Sequence, residues 1–461
     1  MIQSVDVPPV SDPENPQEKG IASRDASLAE DEKKYDATPA YRQDAFGDES
    51  NAEVKYKVMK WWQCGLLMVA ETVSLGVLSL PAAVAGLGLV PSVILLVSLG
   101  IVSTYTGYVL GQFKLKVRWV TNMGDAGEVV FGSWGREILG AAQVLFLVFV
   151  MASHLLTFVI AMNTITDHGT CSIVFGVVGM VVSFILSLPR TLAKMSWLSL
   201  VSFTSIISAV IICMIGVIIK HPGGKVMATV DTDLVHGFSA VTNIVFAFSG
   251  HAAYFGLMAE LKDPRDFPKA LMLLQSVDVC LYIVAAIVIY IYGGASVTSP
   301  ALGSASILVS KVAYGIALPT IIIAGVINGH VAFKYVYIRI FQGSSRIHQR
   351  DWVAVSSWVA IALSLWIVAW IIAEAIPVFS NLLSLITALF ASWFTYGLSG
   401  IFWLYLNKGK YLSSPRKMFL TVVNLFCVVF AAVLCGLGLY VSGKAIHDNP
   451  SSASFSCANN A

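Results

Sequence analysis

The sequence predicts an all-α integral membrane protein of eleven transmembrane helices. Three observations carry that expectation. Of the 461 residues, 57% are hydrophobic and only 12% charged, where a soluble domain carries about 25% charged residues. The apolar residues fall into eleven long runs. Lysine and arginine are distributed very unevenly between the loops that join those runs. Together these exclude an ordinary soluble enzyme, a fibrous protein and a disordered chain.

The first 58 residues read differently from the rest. They are polar, contain prolines at 8, 9, 13, 16 and 39, and hold too few large apolar residues to bury a core. We expect a disordered cytosolic tail over residues 1–58, a possible docking place for regulatory partners. It lacks the basic and apolar segments of a signal peptide. Up to residue 60 the net charge is −5, and the remainder carries +7. No segment is basic enough to imply a nucleic-acid partner.

A transmembrane domain is expected over residues 59–442. Its runs span 62–89, 91–112, 138–164, 172–189, 197–219, 237–260, 269–292, 312–337, 353–375, 378–405 and 417–442. Most reach the ~20 residues that a bilayer crossing needs. The fourth is the shortest, and Pro189 ends it. Trp61, Trp62, Trp119, Trp352 and Tyr405 stand at run ends, as interfacial anchors do. With the N-terminus inside, twenty lysines and arginines fall on the cytosolic side and only Lys220, Lys225, Lys311 and Lys444 on the other. That asymmetry orients the chain and supports the number of crossings. Residues 443–461 then form an extracellular tail. Cys171 and Cys457 share that outer side, either as two unpaired thiols or as a disulfide joining the tail to the loop between spans 3 and 4. No CxxC pair suggests zinc.

Two spans are not simple apolar rods. The first contains Glu71, Gly76 and Pro81 within eleven residues. The sixth carries Ser249-Gly250-His251 near its middle. Glycine and small hydroxyl residues loosen a helix, and within a bilayer the freed backbone groups are tolerated only beside protein, water or a ligand. The two spans lie five apart, so spans 1–5 and 6–10 have opposite topology. We therefore expect a 5+5 inverted repeat with one broken helix per half, and a peripheral eleventh helix.

Specific segments then suggest a family. Gly76–Pro81 (GVLSLP), Phe246–His251 (FAFSGH), Glu260–Leu271 (ELKDPRDFPKAL) and Phe131–Ile138 (FGSWGREI) resemble the amino acid/auxin permease family over residues 55–442. Ile165–Gly176 and Ala373–Leu383 are most similar to the fungal neutral amino acid permeases of the methyltryptophan-resistance type. The resemblance implies a sodium-symporter-like fold. It also implies proton-coupled import of neutral and aromatic amino acids at the plasma membrane, with a vacuolar membrane as the alternative location. No cofactor or metal is implied.

The resemblance places the substrate at the two breaks. Ser74, Leu75, Gly76, Val77 and Leu78 are expected from span 1, and Phe248, Ser249, Gly250 and His251 from span 6. Apolar and aromatic surfaces from spans 3, 8 and 10 would select the side chain. Glu71 lies about 7.5 Å along the helix from Gly76. A carboxylate so deep must be paired, protonated or wetted. It is therefore a proton-coupling candidate, with a structural hydrogen-bond hub as the other reading. His251 is the second such candidate, and Asn328 is a candidate ion ligand. His154 and His330 read as interior histidines, and Asp278 as an interhelical hydrogen-bonded group. Glu260 and Glu374 sit at span ends, with a salt bridge from Glu260 as one option. Lys334 and Arg339 are expected to snorkel. The sequence holds no HExxH, G-x-S-x-G or P-loop motif, so we expect a transporter and not an enzyme. An amino acid sensor or an uncoupled facilitator of the same fold is the alternative.

Overall fold

A computed structural model of the chain describes residues 56–190, 196–221, 225–341, 344, 349, 351–448 and 454–460, the side chains of 196 and 197 apart. The tail expected over residues 1–58 lies almost wholly outside them. Among the described residues the protein is all-helical, with one isolated bridge between Met59 and Leu261. Ten helical segments are long and apolar enough to cross a bilayer. A shorter apolar helix between the third and fourth of them completes the eleven expected spans.

The first half contains α1 (Trp61–Leu87), α2 (Leu89–Lys116), α3 (Met123–Thr166), α4 (Ser172–Leu186) and α5 (Ser196–Lys220). Asn122 starts α3 by accepting the Asp125 amide at 2.8 Å, a side-chain cap on an otherwise unpaired N–H. At Gly132 this long helix kinks, with φ +71° and ψ −158°. Only glycine adopts such a backbone cheaply. The expected third span began at 138, and the structure starts its helix fifteen residues earlier, on the other side of that kink. α4 has 15 residues, roughly 22 Å of rise. Its chain leaves the helix two residues before Pro189, which disfavours helical geometry just ahead of it.

The second half begins with α6 (Leu234–Ala247) and α7 (His251–Glu260), the two pieces of span 6. Asp233 caps α6 through the His236 amide at 2.8 Å. Next come α8 (Phe267–Gly293), α9 (Ile307–Phe341) and α10 (Trp352–Ala375). Span 10 starts as α11 (Phe379–Ile386), widens into a π-helical stretch over Thr387–Gly397 and ends as α12 (Leu398–Leu406). π-helical geometry is rare and is frequently found at functional sites. The last helix is α13 (Pro415–Asp448). It turns Phe419, Val422, Phe426 and Val429 outward, and so is peripheral, as expected. Exposed apolar surface of this extent requires a hydrocarbon solvent.

Burial ranks the spans. Those of α1 and α6–α7 are each 89% inside the protein, followed by α3 and by span 10. These four form the centre. One expectation fails there: span 1 is not broken. α1 runs unbroken through Ser74–Leu78 and past Pro81. The reason is packing. A methyl group at Gly76 would lie 2.7 Å from Tyr282 Oη and 3.1 Å from Ala247 Cα. The missing Cβ lets two helices touch, and the backbone keeps its helical geometry. Ser79 Oγ donates to the Gly76 carbonyl at 2.9 Å, and Thr72 Oγ1 to the Met68 carbonyl at 3.0 Å.

Cys171 and Cys457 form a disulfide, with Cα atoms 4.4 Å apart. The tail is also bound without it. Asn163 Nδ2 donates to Asn460 Oδ1 (2.8 Å), Ser172 Oγ to the Ala458 carbonyl (2.6 Å) and the Phe455 amide to the Glu374 carbonyl (3.2 Å). Residues 454–460 thus strap the ends of α3 and α10 and the start of α4.

Two outcomes test this description. Replacing Gly132 with alanine meets no atom within 4 Å, so its whole cost is backbone strain of about 1–3 kcal/mol. We expect a lower unfolding temperature for Gly132→Ala in detergent, and none for Gly315→Ala, which is equally unobstructed but lies within the helix α9. Secondly, Cys171→Ser or Cys457→Ser should each abolish the mobility difference between reducing and non-reducing gels. A shift that persists in either variant would disprove the bridge.

Candidate functional site

Span 6 is where the backbone opens. α6 stops at Ala247, and Phe248–Gly250 make tight turns before α7 starts at His251. The Phe248 amide reaches the Val245 carbonyl at 3.2 Å, and the Ser249 amide the Phe246 carbonyl at 3.0 Å. Carbonyls released here have no helical donor. Neighbouring spans supply donors instead. Tyr282 of α8 donates to the Ala247 carbonyl at 3.0 Å, and Ser103 of α2 to the Phe248 carbonyl at 2.9 Å. Gln143 of α3 also donates to the Ala252 carbonyl, inside the first turn of α7, at 2.8 Å. The Ser249 hydroxyl turns back to the Phe246 carbonyl at 2.6 Å. His251 Nε2 lies 3.0 Å from Thr106 Oγ1 and 3.1 Å from the Ser103 carbonyl. The break is thus held by side chains of α2, α3 and α8.

Span 1 lies along this break as an intact helix. Ser74, Leu75, Val77 and Leu78 are all buried, and the Ser74 hydroxyl has no hydrogen-bond partner. Glu71 is partly exposed, with Oε2 enclosed and unpartnered. A Cβ placed on Gly250 would lie 3.4 Å from that Oε2. Glu71, Ser74, Gly76, Phe248, Ser249, Gly250 and His251 therefore belong to one neighbourhood. Leu75, Val77 and Leu78 enter it with helical backbones, so their amides and carbonyls are committed to α1. Asn328 Nδ2 donates to the Ala324 carbonyl of its own helix at 3.0 Å, and its Oδ1 is buried without a partner. Among the described residues no group of three or more His, Cys, Asp or Glu is placed to hold a metal ion.

An aromatic wall flanks the site. Phe146 and Phe149 of α3 face Phe390 at 6.2 and 5.8 Å between ring centres, and Phe146 faces Phe394 at 5.8 Å. Both partners lie in the π-helical stretch. Phe146 stands one turn beyond Gln143, which ties α3 to α7. Thr387 Oγ1 donates to the Thr242 carbonyl at 3.1 Å, joining that stretch to α6. Sequence reasoning named spans 3 and 10 without naming residues. It missed Ser103, Gln143 and Tyr282, although a glutamine inside an apolar run is itself a signal.

One end of the site is closed by a buried ion pair. Glu260 ends α7 and pairs with Lys334 of α9; both are buried. Glu260 is therefore not at a wetted span end, and Lys334 does not snorkel. The expected alternative, a salt bridge from Glu260, is what forms, because burying either charge alone is too costly. Lys334 Nζ sits 5.1 Å above the Tyr56 ring. Burial pushes the Tyr56 phenol up to about 12, against the pull of the Arg190 charge, so it stays neutral. Beside it, Met59 forms backbone bonds with Glu260 (3.0 Å) and Lys262 (2.9 Å). Arg339 likewise pairs, with Glu137. Asp278 is buried in α8 with the Thr72 hydroxyl of α1 beside it.

Comparison with known proteins decides the class. A profile of the transmembrane amino acid transporter protein family matches residues 57–443. The chain belongs to that family. It is 37% identical over 412 residues to the N amino acid transport system protein of Neurospora crassa, covering 87% of this chain and 88% of the relative. It is also 27% identical to vacuolar amino acid transporter 4 of Saccharomyces cerevisiae, over 50% of this chain and 34% of that protein. Among solved structures, MhsT in complex with L-phenylalanine superposes with a TM-score of 0.55 at 12% identity, covering 86% of this chain and 99% of the other. The fold of this transporter is thus the sodium-symporter-like one, and its class is not enzymatic.

The Glu260–Lys334 pair yields a quantitative expectation. Lys334→Met removes the cation paired with the buried Glu260 carboxylate and should cost about 3–5 kcal/mol. Adding Glu260→Gln should recover most of that loss. Thermal unfolding of the two single variants and the double one checks it, and equal losses that simply add would contradict a direct pair.

Proposed function

We propose that this transporter imports neutral amino acids, aromatic ones included, by proton symport across the plasma membrane, with alternating access centred on the break in span 6. The observation that carries the proposal is the opened backbone at Phe248–Gly250, set beside the unpartnered Ser74 hydroxyl and the Glu71 carboxylate, in a chain of the amino acid transporter family. A substrate carboxylate is served by the start of α7, whose first N–H groups lack helical acceptors, and by Ser74. Its ammonium takes the carbonyls that end α6. Its side chain meets Phe146, Phe390 and Phe394.

Span 1 contributes through Ser74 and the small surface at Gly76; the flanking Leu75, Val77 and Leu78 contribute apolar contact. His251 holds the break, and Glu71 carries the proton. The complex of MhsT with L-phenylalanine supports an aromatic substrate on this fold. The excess of lysine and arginine on one side supports a cytosolic N-terminus and an extracellular C-terminus. The Cys171–Cys457 bridge fits an oxidising outer face. On that topology the Glu260–Lys334 pair and the Met59 bonds close the cytosolic side, and must part for release. The likeness to a vacuolar transporter keeps the vacuolar membrane as the second location. The N-terminal tail is free to recruit regulatory partners.

The test is uptake of labelled phenylalanine and leucine into proteoliposomes under an inward proton gradient without sodium. Transient accumulation abolished by a protonophore is the expected result. Equilibration indifferent to the gradient would make the protein a facilitator, and binding without uptake would make it a sensor.

A further inference from the structure

One cluster next to the break has no assigned role. On α8, Gln275, Asp278 and Tyr282 are spaced three and four residues apart, so they share one face. That face meets α1, where a Cβ on Gly65 would lie 2.7 Å from Leu273 Cδ2 and one on Gly76 2.7 Å from Tyr282 Oη. Cys64, Met68, Glu71 and Thr72 line the opposing face of α1. Tyr254 of α7 closes the third side, and its Cε1 lies 3.3 Å from the position of a Cβ on Gly250. Glu71 acts electrostatically on Asp278, and both act on Tyr254 and Tyr282. The Thr72 hydroxyl neighbours both Asp278 and Tyr282, and Gln275 neighbours Tyr254.

Two features set this cluster apart. Its polar atoms are enclosed and sparsely matched: Glu71 Oε2 and Gln275 Oε1 have no hydrogen-bond partner, while Asp278 has the Thr72 hydroxyl of α1 beside it and Tyr254 Oη the Gln275 side chain. Asp278 is only 1% exposed. In addition, no lysine or arginine among the described residues reaches either carboxylate. Compare Glu260, which is equally deep and has Lys334. Two neighbouring carboxylates, one of them fully buried, do not both ionise readily without a cation.

We propose that Glu71 and Asp278 form a single proton-binding site in which the two carboxyls share one proton. This rests on the proton-symport reading and names a second residue for it. Exposure divides the labour. Glu71 is partly exposed and exchanges the proton with water, while Asp278 holds it inside. Tyr254 stands beside the charge that remains, with the Gln275 side chain against it; Thr72, whose hydroxyl donates to the Met68 carbonyl, adjoins Asp278. Gly250 touches Glu71 and Thr72 on one side and belongs to the break on the other. Substrate at the break and proton at the pair therefore share a wall, which is the physical requirement for coupling.

The test uses the full-length protein in proteoliposomes without sodium, under a pH gradient of roughly two units, whose ceiling for one proton per substrate is a concentration ratio of about 100. Wild type should accumulate phenylalanine. Asp278→Asn and Glu71→Gln should each drop to a ratio of about 1 while still exchanging labelled for unlabelled phenylalanine, and the double variant should be no worse, because one site is lost once. An Asp278→Asn protein that accumulates like wild type overturns the pair and leaves the symport reading standing. Wild type that fails to accumulate removes both. Accumulation that requires sodium makes the cluster a metal-cation site and overturns the shared proton.

Should Asp278→Asn fail to fold, wild type still decides. Dicyclohexylcarbodiimide attacks protonated carboxyls in apolar surroundings. Peptide mapping should find one adduct per molecule, on Glu71 or Asp278, forming faster at acid pH. No adduct at either, or both on one molecule, overturns the proposal.

Discussion

Everything in this protein answers to one constraint: inside a bilayer, every backbone N–H and carbonyl must find its partner within the protein. Ten spans meet it by remaining helical. Span 6 opens at Phe248–Gly250, and its neighbours compensate. Tyr282, Ser103 and Gln143 reach in from three different helices to the carbonyls at 247, 248 and 252. These bonds fix where α2, α3 and α8 stand around the centre. They also make the break a joint: moving any of those helices changes what its carbonyls bind, and a ligand that supplies donors competes with the same side chains.

Charge is handled in two contrasting ways at the same depth. Glu260 and Lys334 neutralise one another, so their burial costs far less than either charge alone. That pair, with Met59 bonded alongside, ties the pre-α1 segment to α7 and α9. Glu71 and Asp278 have no such cation. Buried carboxylates without a cation are costly and rare inside a membrane span, and these two lie beside the joint, as the paired ions lie at the end of α7.

Small residues set how closely these parts approach. Gly76 brings α1 against Ala247 and Tyr282, and Gly250 brings the break against Glu71 and Thr72. The tail strapped through Cys171–Cys457 ties the ends of α3 and α10 to the start of α4.

Much of this was legible in the sequence, because hydropathy and loop charge act span by span. The number of spans, the break at Ser249-Gly250-His251, the peripheral last helix and the special position of Glu71 all follow from local composition. The tertiary structure decided what depends on partners distant in sequence. A mid-span glycine reads alike whether it breaks a helix or lets another approach, and only the proximity of Ala247 shows that Gly76 does the latter. Glu260 looked wetted until Lys334, 74 residues away, was beside it. Asp278 reads as one side of an interhelical hydrogen bond, and only the fold shows that its neighbours are Thr72 and Glu71 of α1, distant in the chain, with no cation beside it among the described residues. Cys171 and Cys457, 286 residues apart, had no sequence signal that distinguished thiols from a bridge. Periodicity and charge are properties of a segment, whereas pairing, close approach and enclosure arise only between segments.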